Sequence, residues 1–413
     1  MLLLVIIILI PLLMAIYLFS KVINYLTKKH YSMKSKNLIR FLKSFFLLLL
    51  ISSAIAEEPR FYIPDAPATS AFAYVVMDHN SGAILAANNE DEKRAPASLT
   101  KLMTSYVVFQ RIKEEFITLE DDVKISEKAW KTGGSRSFIE VGKMIKLHDL
   151  LRGMIVQSGN DASVALAEHV AGSEGTFVLF MNDYAEQLGM KNSRFENSSG
   201  LPHEDQYTTA KDMAILSSAM IRDFPDFYKW YSEKEFTYNN ITQPNRNKLL
   251  WSDSTVDGLK TGYTQKAGYC LVISAKRVGM RLISVVLGSE GPTVRFTETE
   301  KLLDYGFRFF ETQSVEDISH QVPVYKSKKS SIKVGVEDST YLTLPRNQFK
   351  YTTQTITLDQ DLIAPINQGE IIGNLVISFN NENISTLPLI TLEDAPESGF
   401  FARIVDTIKL LFR

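Results

Sequence analysis

Ala95-Pro96-Ala97-Ser98-Leu99-Thr100-Lys101 opens the stretch that decides this chain. Pro96 lacks the N–H that the first turn of a helix leaves unused, so it can start one. Leu99, Leu102, Met103, Tyr106, Val107 and Phe109 then recur at helical spacing. The pattern predicts a helix with Ser98 near its N-terminus and Lys101 one turn on, on the same face. A serine hydroxyl is a weak nucleophile unless a base lies within hydrogen-bond reach. Lysine serves as that base when neutral, and burial beside another cation lowers its pKa.

Two further triplets follow in order. Ser158-Gly159-Asn160 begins 60 residues after Ser98, and Lys260-Thr261-Gly262 begins 102 residues after Ser158. Ser-x-x-Lys, Ser-x-Asn and Lys-Thr-Gly together are the signature of an active-site-serine enzyme with a lysine base. Each motif alone is weak, and the chain holds copies: Ser330-Ser331-Ile332-Lys333, Ser35-Lys36-Asn37, Ser378-Phe379-Asn380 and Lys131-Thr132-Gly133. Local context separates them. Ser330 ends the charged run Lys326-Ser327-Lys328-Lys329, which reads as a wet turn. Ser35 falls in a basic segment, Ser378 in an Asn-rich turn and Lys131 in a flexible Gly-rich loop.

Ser158 ends the largely apolar run 150–157, and a new helix is expected over 162–170, which puts Ser158-Gly159-Asn160 on a tight connection between helices. The bland reading is a turn with an Asn or Asp cap. Lys260 precedes the β-branched runs 268–275 and 281–287, which flank the turn Arg277-Val278-Gly279-Met280. That is a hairpin pattern, with Lys260 on its edge. Lys260 is thereby the candidate second cation beside Lys101. The separations suit a helical subdomain inserted between a nucleophile helix and a sheet.

With Asn245-Arg246-Asn247-Lys248-Leu249-Leu250-Trp251, Val256-Asp257-Gly258-Leu259 and Lys301-Leu302-Leu303-Asp304-Tyr305-Gly306, these motifs give a family likeness. Over 61–413 the chain resembles the serine-type D-Ala-D-Ala carboxypeptidases, low-molecular-mass penicillin-binding proteins of the type 5/6 group. The resemblance implies an α+β fold of the penicillin-binding/serine β-lactamase-like kind: an antiparallel sheet flanked by helices plus a helical subdomain, then a small all-β domain and a C-terminal amphipathic helix. It implies that Ser98 attacks the D-Ala-D-Ala carbonyl and that Lys101 takes its proton. Ser158 relays that proton to the leaving amine, Asn160 holds the substrate amide and Lys101, and Lys260 supplies positive charge. Thr261, Gly262 and Tyr263 line the substrate, with Thr261 at its terminal carboxylate. The backbone N–H groups of Tyr263 and Ser98 form the oxyanion hole, worth about 3–4 kcal/mol per donor. Arg246 and Arg295 match positions near the carboxylate end. Their bland reading is surface salt bridging, although the guanidinium fork suits a carboxylate. The loop 131–141 resembles the family loop beside the site, where a glycine pair permits lid motion. An ordinary surface loop reads as well. The implied partners are the peptidoglycan pentapeptide stem and, as covalent inhibitors, β-lactam antibiotics. No cofactor and no metal are implied.

Other chemistries fit poorly. None of the six histidines makes His-Glu-x-x-His or His-x-His, and His203 reads as a surface residue. The lone Cys270 sits in a strand pattern and reads as a buried thiol. No Gly-rich phosphate loop occurs, and a net charge of −2 gives no reason to expect nucleic acid.

A length of 413 residues allows two or three domains. An apolar extension occupies 1–32, long enough in 2–19 to span a bilayer. Basic residues, a short apolar run and Ala54-Ile55-Ala56 make 33–56 a signal peptide beginning at Met33. Translation is expected to start at Met33; the rival is an extra membrane helix with its Lys-rich flank cytoplasmic. The catalytic domain is expected over 57–316 and the small β domain, from short alternating strands, over 317–392. In 399–413, Phe400, Phe401, Ile404, Val405, Ile408, Leu411 and Phe412 share one stripe, with Arg403, Asp406, Lys409 and Arg413 opposite. That suits a helix lying on a cytoplasmic membrane, basic face toward anionic lipid; the alternative is packing on the β domain. The expected location is exported, at the periplasmic face of the inner membrane.

Three rivals remain at this stage. A class A β-lactamase needs a Glu-x-x-x-Asn element near the middle motif. The only match between Asn160 and Lys260 is Glu235-Phe236-Thr237-Tyr238-Asn239, which is misplaced and reads as a strand. A D-Ala endopeptidase shares the catalytic parts. A wall-binding shape factor with weak catalysis is the reading from another class.

Overall fold

The computed structural model describes Lys21 and residues 63–411, apart from 316–318, 337–339 and 380–381. Apart from Lys21, the expected extension 1–32 and signal peptide 33–56 lie outside the described residues, as do Ser35, Phe412 and Arg413.

Apolar, β-branched runs become one antiparallel sheet. Its strands are β1 (Ala73–Asp78), β2 (Ile84–Asn88), β3 (Val256–Thr264), β4 (Gly268–Arg277) and β5 (Met280–Ser289), in the order β2-β1-β5-β4-β3. Val278 and Gly279 join β4 to β5 with φ of +46° and +86°, the positive values that a two-residue hairpin turn of matching twist requires. Successive side chains alternate across the sheet. Val75, Val272 and Val285 enter one apolar cluster, while Val76, Leu271 and Val286 enter another. Both faces are covered, which is why these strands read as continuous apolar runs.

Helix α6 (Val294–Phe309) covers the second face through Phe296, Leu302, Leu303 and Phe307. The first face receives α1 (Thr100–Lys113) and α5 (Ala210–Asp223), with α2 (Leu147–Gln157), α3 (Asn160–Ala171) and α4 (Glu174–Gln187) completing the helical subdomain. Helix α1 differs from the one-sided helix its spacing suggests: every residue from Thr100 to Phe109 is buried. A helix enclosed on all sides is a core element, and a polar group on it is costly unless it finds a partner inside. Thr104 does so, donating to the Ser198 carbonyl at 2.6 Å. Glu235–Tyr238 is a strand, paired with Ile241–Pro244.

Helix α6 runs directly into β6 (Phe310–Ser314), which pairs with β9 (Tyr341–Pro345). A five-stranded sheet follows, from β7 (Ser319–Pro323), β8 (Ser331–Gly335), β10 (Thr352–Leu358), β11 (Ile371–Phe379) and β12 (Glu382–Thr391), in the order β7-β8-β12-β11-β10. Its core holds Ile332, Val334, Leu375, Ile377 and Leu389. Ser378 is a strand residue of β11 rather than part of a turn. Thr312 donates to the buried Asp78 carboxylate at 2.8 Å, and Ser81 and Thr343 share a hydrogen bond of 2.6 Å. These contacts join the β region to the catalytic sheet.

The last element is α7 (Phe400–Leu411), none of whose residues is buried. Its polar side is tied down, with Asp406 accepting from the Lys326 backbone N–H at 2.7 Å. Its apolar side faces outward, with Phe401 83% exposed. The expected basic face is partly neutralised: Arg403 pairs with Glu397 at 2.8 Å and Lys409 with Asp406 at 2.9 Å. Among the described residues, no helix is long and apolar enough to cross a membrane.

Candidate active site

Ser98 lies in a single 3-10 turn, Ala97–Leu99, that runs into α1. The turn begins with Ala97 at φ +48°, a left-handed conformation that costs about 1–3 kcal/mol unless the surroundings impose it. Lys101 is 1% exposed. Its Nζ lies 3.1 Å from Ser98 Oγ and 2.7 Å from Asn160 Oδ1, and also bonds the Ser199 carbonyl.

The orientation of Asn160 follows from its other partner. Gly133 O can only accept, and it lies 2.7 Å from Nδ2. The amide oxygen must therefore face Lys101. Asn160 Oδ1 and Ser199 O are both acceptors, so a neutral lysine spends its two hydrogens on them. The remaining lone pair then faces Ser98, whose hydroxyl donates to it. This geometry would let a neutral Lys101 accept the Ser98 proton.

Burial pushes the Lys101 amine down to about 7; the Arg246 cation adds to this and Asp161 opposes it. Lys260 is pushed well below the usual lysine value, first by burial and then by Lys101, Arg246 and Arg295. Lys101 is among the cations that push Lys260 down, so the two amines lie close enough to act on one another, and Arg246 acts on both.

Ser158 ends α2 in a left-handed conformation, φ +67°, and its buried Oγ has no hydrogen-bond partner among the described residues. Lys260, Thr261, Gly262 and Tyr263 lie on β3, the edge strand of the sheet, where alternate N–H groups face away from β4. Tyr263 is exposed and stacks on Tyr269 at 4.3 Å. Arg295 Nη1 donates to the carbonyls of Gly262 at 3.1 Å and Cys270 at 3.3 Å, and its Nε has no partner among the described residues. Arg246 Nε donates to Gln157 O at 3.0 Å and to its Oε1 at 2.7 Å. Among the described residues, neither arginine makes the surface salt bridge that was the alternative. A cavity of about 540 Å³ is lined by Ser98, Ser158, Thr261, Gly262, Tyr263, Arg246 and Arg295 among others.

Several residues of the site carry no motif. Ser199 reaches Lys101 through its backbone, which leaves no side-chain signature; the signal was the adjacent Gly200. Gly200 has φ +83°, and a Cβ there would lie 1.8 Å from Ala97 O. Asp161 is buried and accepts from the N–H groups of Ser137 at 2.8 Å and Ile139 at 3.4 Å, so it anchors the loop 131–141. The Asn160 N–H donates to Ser135 O at 2.7 Å. The loop therefore borders the site. A Cβ on Gly134 would lie 2.5 Å from Asn160 Nδ2, so this glycine permits close approach to the base-holding residue. The Lys-Thr-Gly copy is not loop throughout: Lys131 ends a short helix, Glu127–Lys131, and pairs with Glu127 at 2.5 Å. Cys270 is buried and its thiol is pushed up to about 11. Glu196, His203 and Asp205 bring ligand atoms within 4.8 Å on the surface, but Glu196 is already paired with Arg194 at 2.6 Å.

Fold and motifs together define the class of active-site-serine hydrolases with a lysine in the Ser-x-x-Lys turn. Residues 61–291 match the D-alanyl-D-alanine carboxypeptidase family, and 307–397 match the penicillin-binding protein 5 C-terminal domain. The chain belongs to the D-alanyl-D-alanine carboxypeptidase family and is a serine-type carboxypeptidase of that penicillin-binding group. It is 44% identical over 382 residues to D-alanyl-D-alanine carboxypeptidase DacC of Escherichia coli K12, covering 89% of this chain and 94% of that one. Penicillin-binding protein 5 of Haemophilus influenzae superposes with a TM-score of 0.77 at 43% identity, over 81% of this chain and all of the other (100%). Penicillin-binding protein D2 of Listeria monocytogenes, solved with ampicillin bound, gives a TM-score of 0.54 at 31% identity over 60% of this chain and 100% of that one. The resemblance read from the motifs is borne out.

Proposed function

We propose that the chain removes the terminal D-Ala of the peptidoglycan pentapeptide through an acyl-enzyme on Ser98, and that β-lactams acylate the same oxygen. The observation that carries this is the Lys101 Nζ, 3.1 Å from Ser98 Oγ with its other bonds on acceptor-only oxygens. Ser98 Oγ bonds to the carbonyl carbon as its proton passes to Lys101. The C–N bond then breaks, and Ser158 Oγ carries the proton from Lys101 to the departing amine. Water later hydrolyses the ester. Thr261, Arg246 and Arg295 meet the terminal carboxylate, and Lys260 supplies positive charge there, its charged form favoured by the anion nearby. The backbone N–H groups of Ser98 and Tyr263 form the oxyanion hole, and Asn160 aims Lys101.

Around this site, 57–316 forms the catalytic domain and 317–392 the β domain. Segment 33–56 directs export to the periplasm. Segment 399–413 lies on the cytoplasmic membrane; the outward apolar side of α7, with its polar side tied to Lys326, supports this. Mass analysis of a pentapeptide digest tests the reaction: loss of a single alanine is expected. No loss with the native protein, or equal loss with Ser98→Ala, overturns it.

A further inference from the structure

The substrate cavity is more cationic than the removal of D-Ala requires. Arg246, Lys248 and Arg295 line it, and no Asp or Glu is among its lining residues. Arg246 is held by Gln157, and Arg295 by the carbonyls of Gly262 and Cys270. Neither bond set supplies a negative charge. The Lys248 ammonium is exposed and has no ion pair among the described residues. Asn247, between Arg246 and Lys248, is fully buried and donates to Gly258 O at 3.2 Å, so both cations rise into the cavity from one anchored turn. Three other arginines of the domain are by contrast matched: Arg152 by Glu233 at 2.9 Å, Arg277 by Asp253 at 2.9 Å and Arg281 by Asp257 at 2.7 Å. The whole chain carries −2, so this positive field is local to the cavity.

A departing D-alanine brings one carboxylate, which Thr261 and the arginines meet. A second anion can only sit on the part of the peptide that stays on Ser98. We infer that Lys248 is a specificity residue that receives a second carboxylate, carried by the retained stem of the substrate. It thereby selects stems with an acidic side chain over neutral ones. This rests on the carboxypeptidase reading above.

The test uses the full-length protein and two synthetic pentapeptides ending in D-Ala-D-Ala. They are identical except that one middle side chain ends in a carboxylate or in its amide. The native protein is expected to favour the acidic peptide in kcat/KM. Lys248→Ala is expected to lower that preference about fivefold, through KM rather than kcat. Lys248→Glu is expected to reverse it, and added salt to erode it in the native protein. Titration with labelled penicillin verifies that each variant is folded. A preference unmoved by both substitutions overturns the proposal, as does a change confined to kcat. Release of alanine from neither peptide by the native protein instead brings down the carboxypeptidase reading, and this inference with it.

Discussion

Asn160 Oδ1 accepts a 2.7 Å hydrogen bond from Lys101 Nζ, joining the Ser-x-Asn turn to the Ser-x-x-Lys helix inside the protein. Lys101 is aimed by this bond and by the Ser199 carbonyl, so its basicity and its direction have separate causes. Burial and Arg246 set the first, and two acceptors set the second.

Acylation by penicillin should therefore rise with pH through about 7, as Lys101 loses its proton and becomes able to take that of Ser98. Arg246→Ala removes the cation that lowers Lys101, so the rising limb should move to higher pH. Stopped-flow acylation rates across pH measure both. A limb left in place by Arg246→Ala would show that burial alone sets the value. Lys101→Ala should slow acylation by about a thousandfold or more, the range of a lost general base.

Gly200→Ala should damage the site without touching a motif residue. Its φ of +83° disfavours a side chain, and its Cβ would press on Ala97 O, next to the nucleophile. The expected result is a loss of at least about 1 kcal/mol in denaturant unfolding, with penicillin labelling sharply reduced. Normal labelling would mean that the Ser98 turn tolerates displacement.

Asp161→Asn should loosen the loop beside the site. The carboxylate accepts from Ser137 N–H and Ile139 N–H, and an amide would set its own donor against one of them. A loss of about 2–3 kcal/mol is expected, with faster proteolytic cleavage in 131–141. Unchanged cleavage would place the anchor of that loop elsewhere.

Removal of 399–413 should shift the protein from pelleted membranes to the supernatant. Phe401→Asp with Ile408→Asp should do the same in flotation with anionic vesicles, since both side chains are at least half exposed and face away from the Asp406 tether. Vesicle binding that survives both changes would assign the anchor to another segment. Because Arg403 and Lys409 are already paired, apolar contact should outweigh lipid charge, and added salt should weaken binding only slightly.

The triplet at Ser98, Ser158 and Lys260, the α+β class and the edge position of Lys260 were legible in the chain alone. The triplet and the edge position rest on local pattern, helical spacing after Pro96, a turn at Gly159 and the β-branched runs of β4 and β5, while the α+β class came with the family resemblance. Backbone groups and distant charges were not legible, because no residue type announces them. The Ser199 carbonyl reaches Lys101 only because Gly200 lets its loop lie against Ala97. Arg246 also acts on Lys101, which no motif announces, because Coulombic effects follow space rather than motif order. The sequence by itself determined which side chains could do the chemistry. Tertiary packing decided which of them burial and neighbouring charge shift and which way each one points, since both depend on neighbours brought from far along the chain.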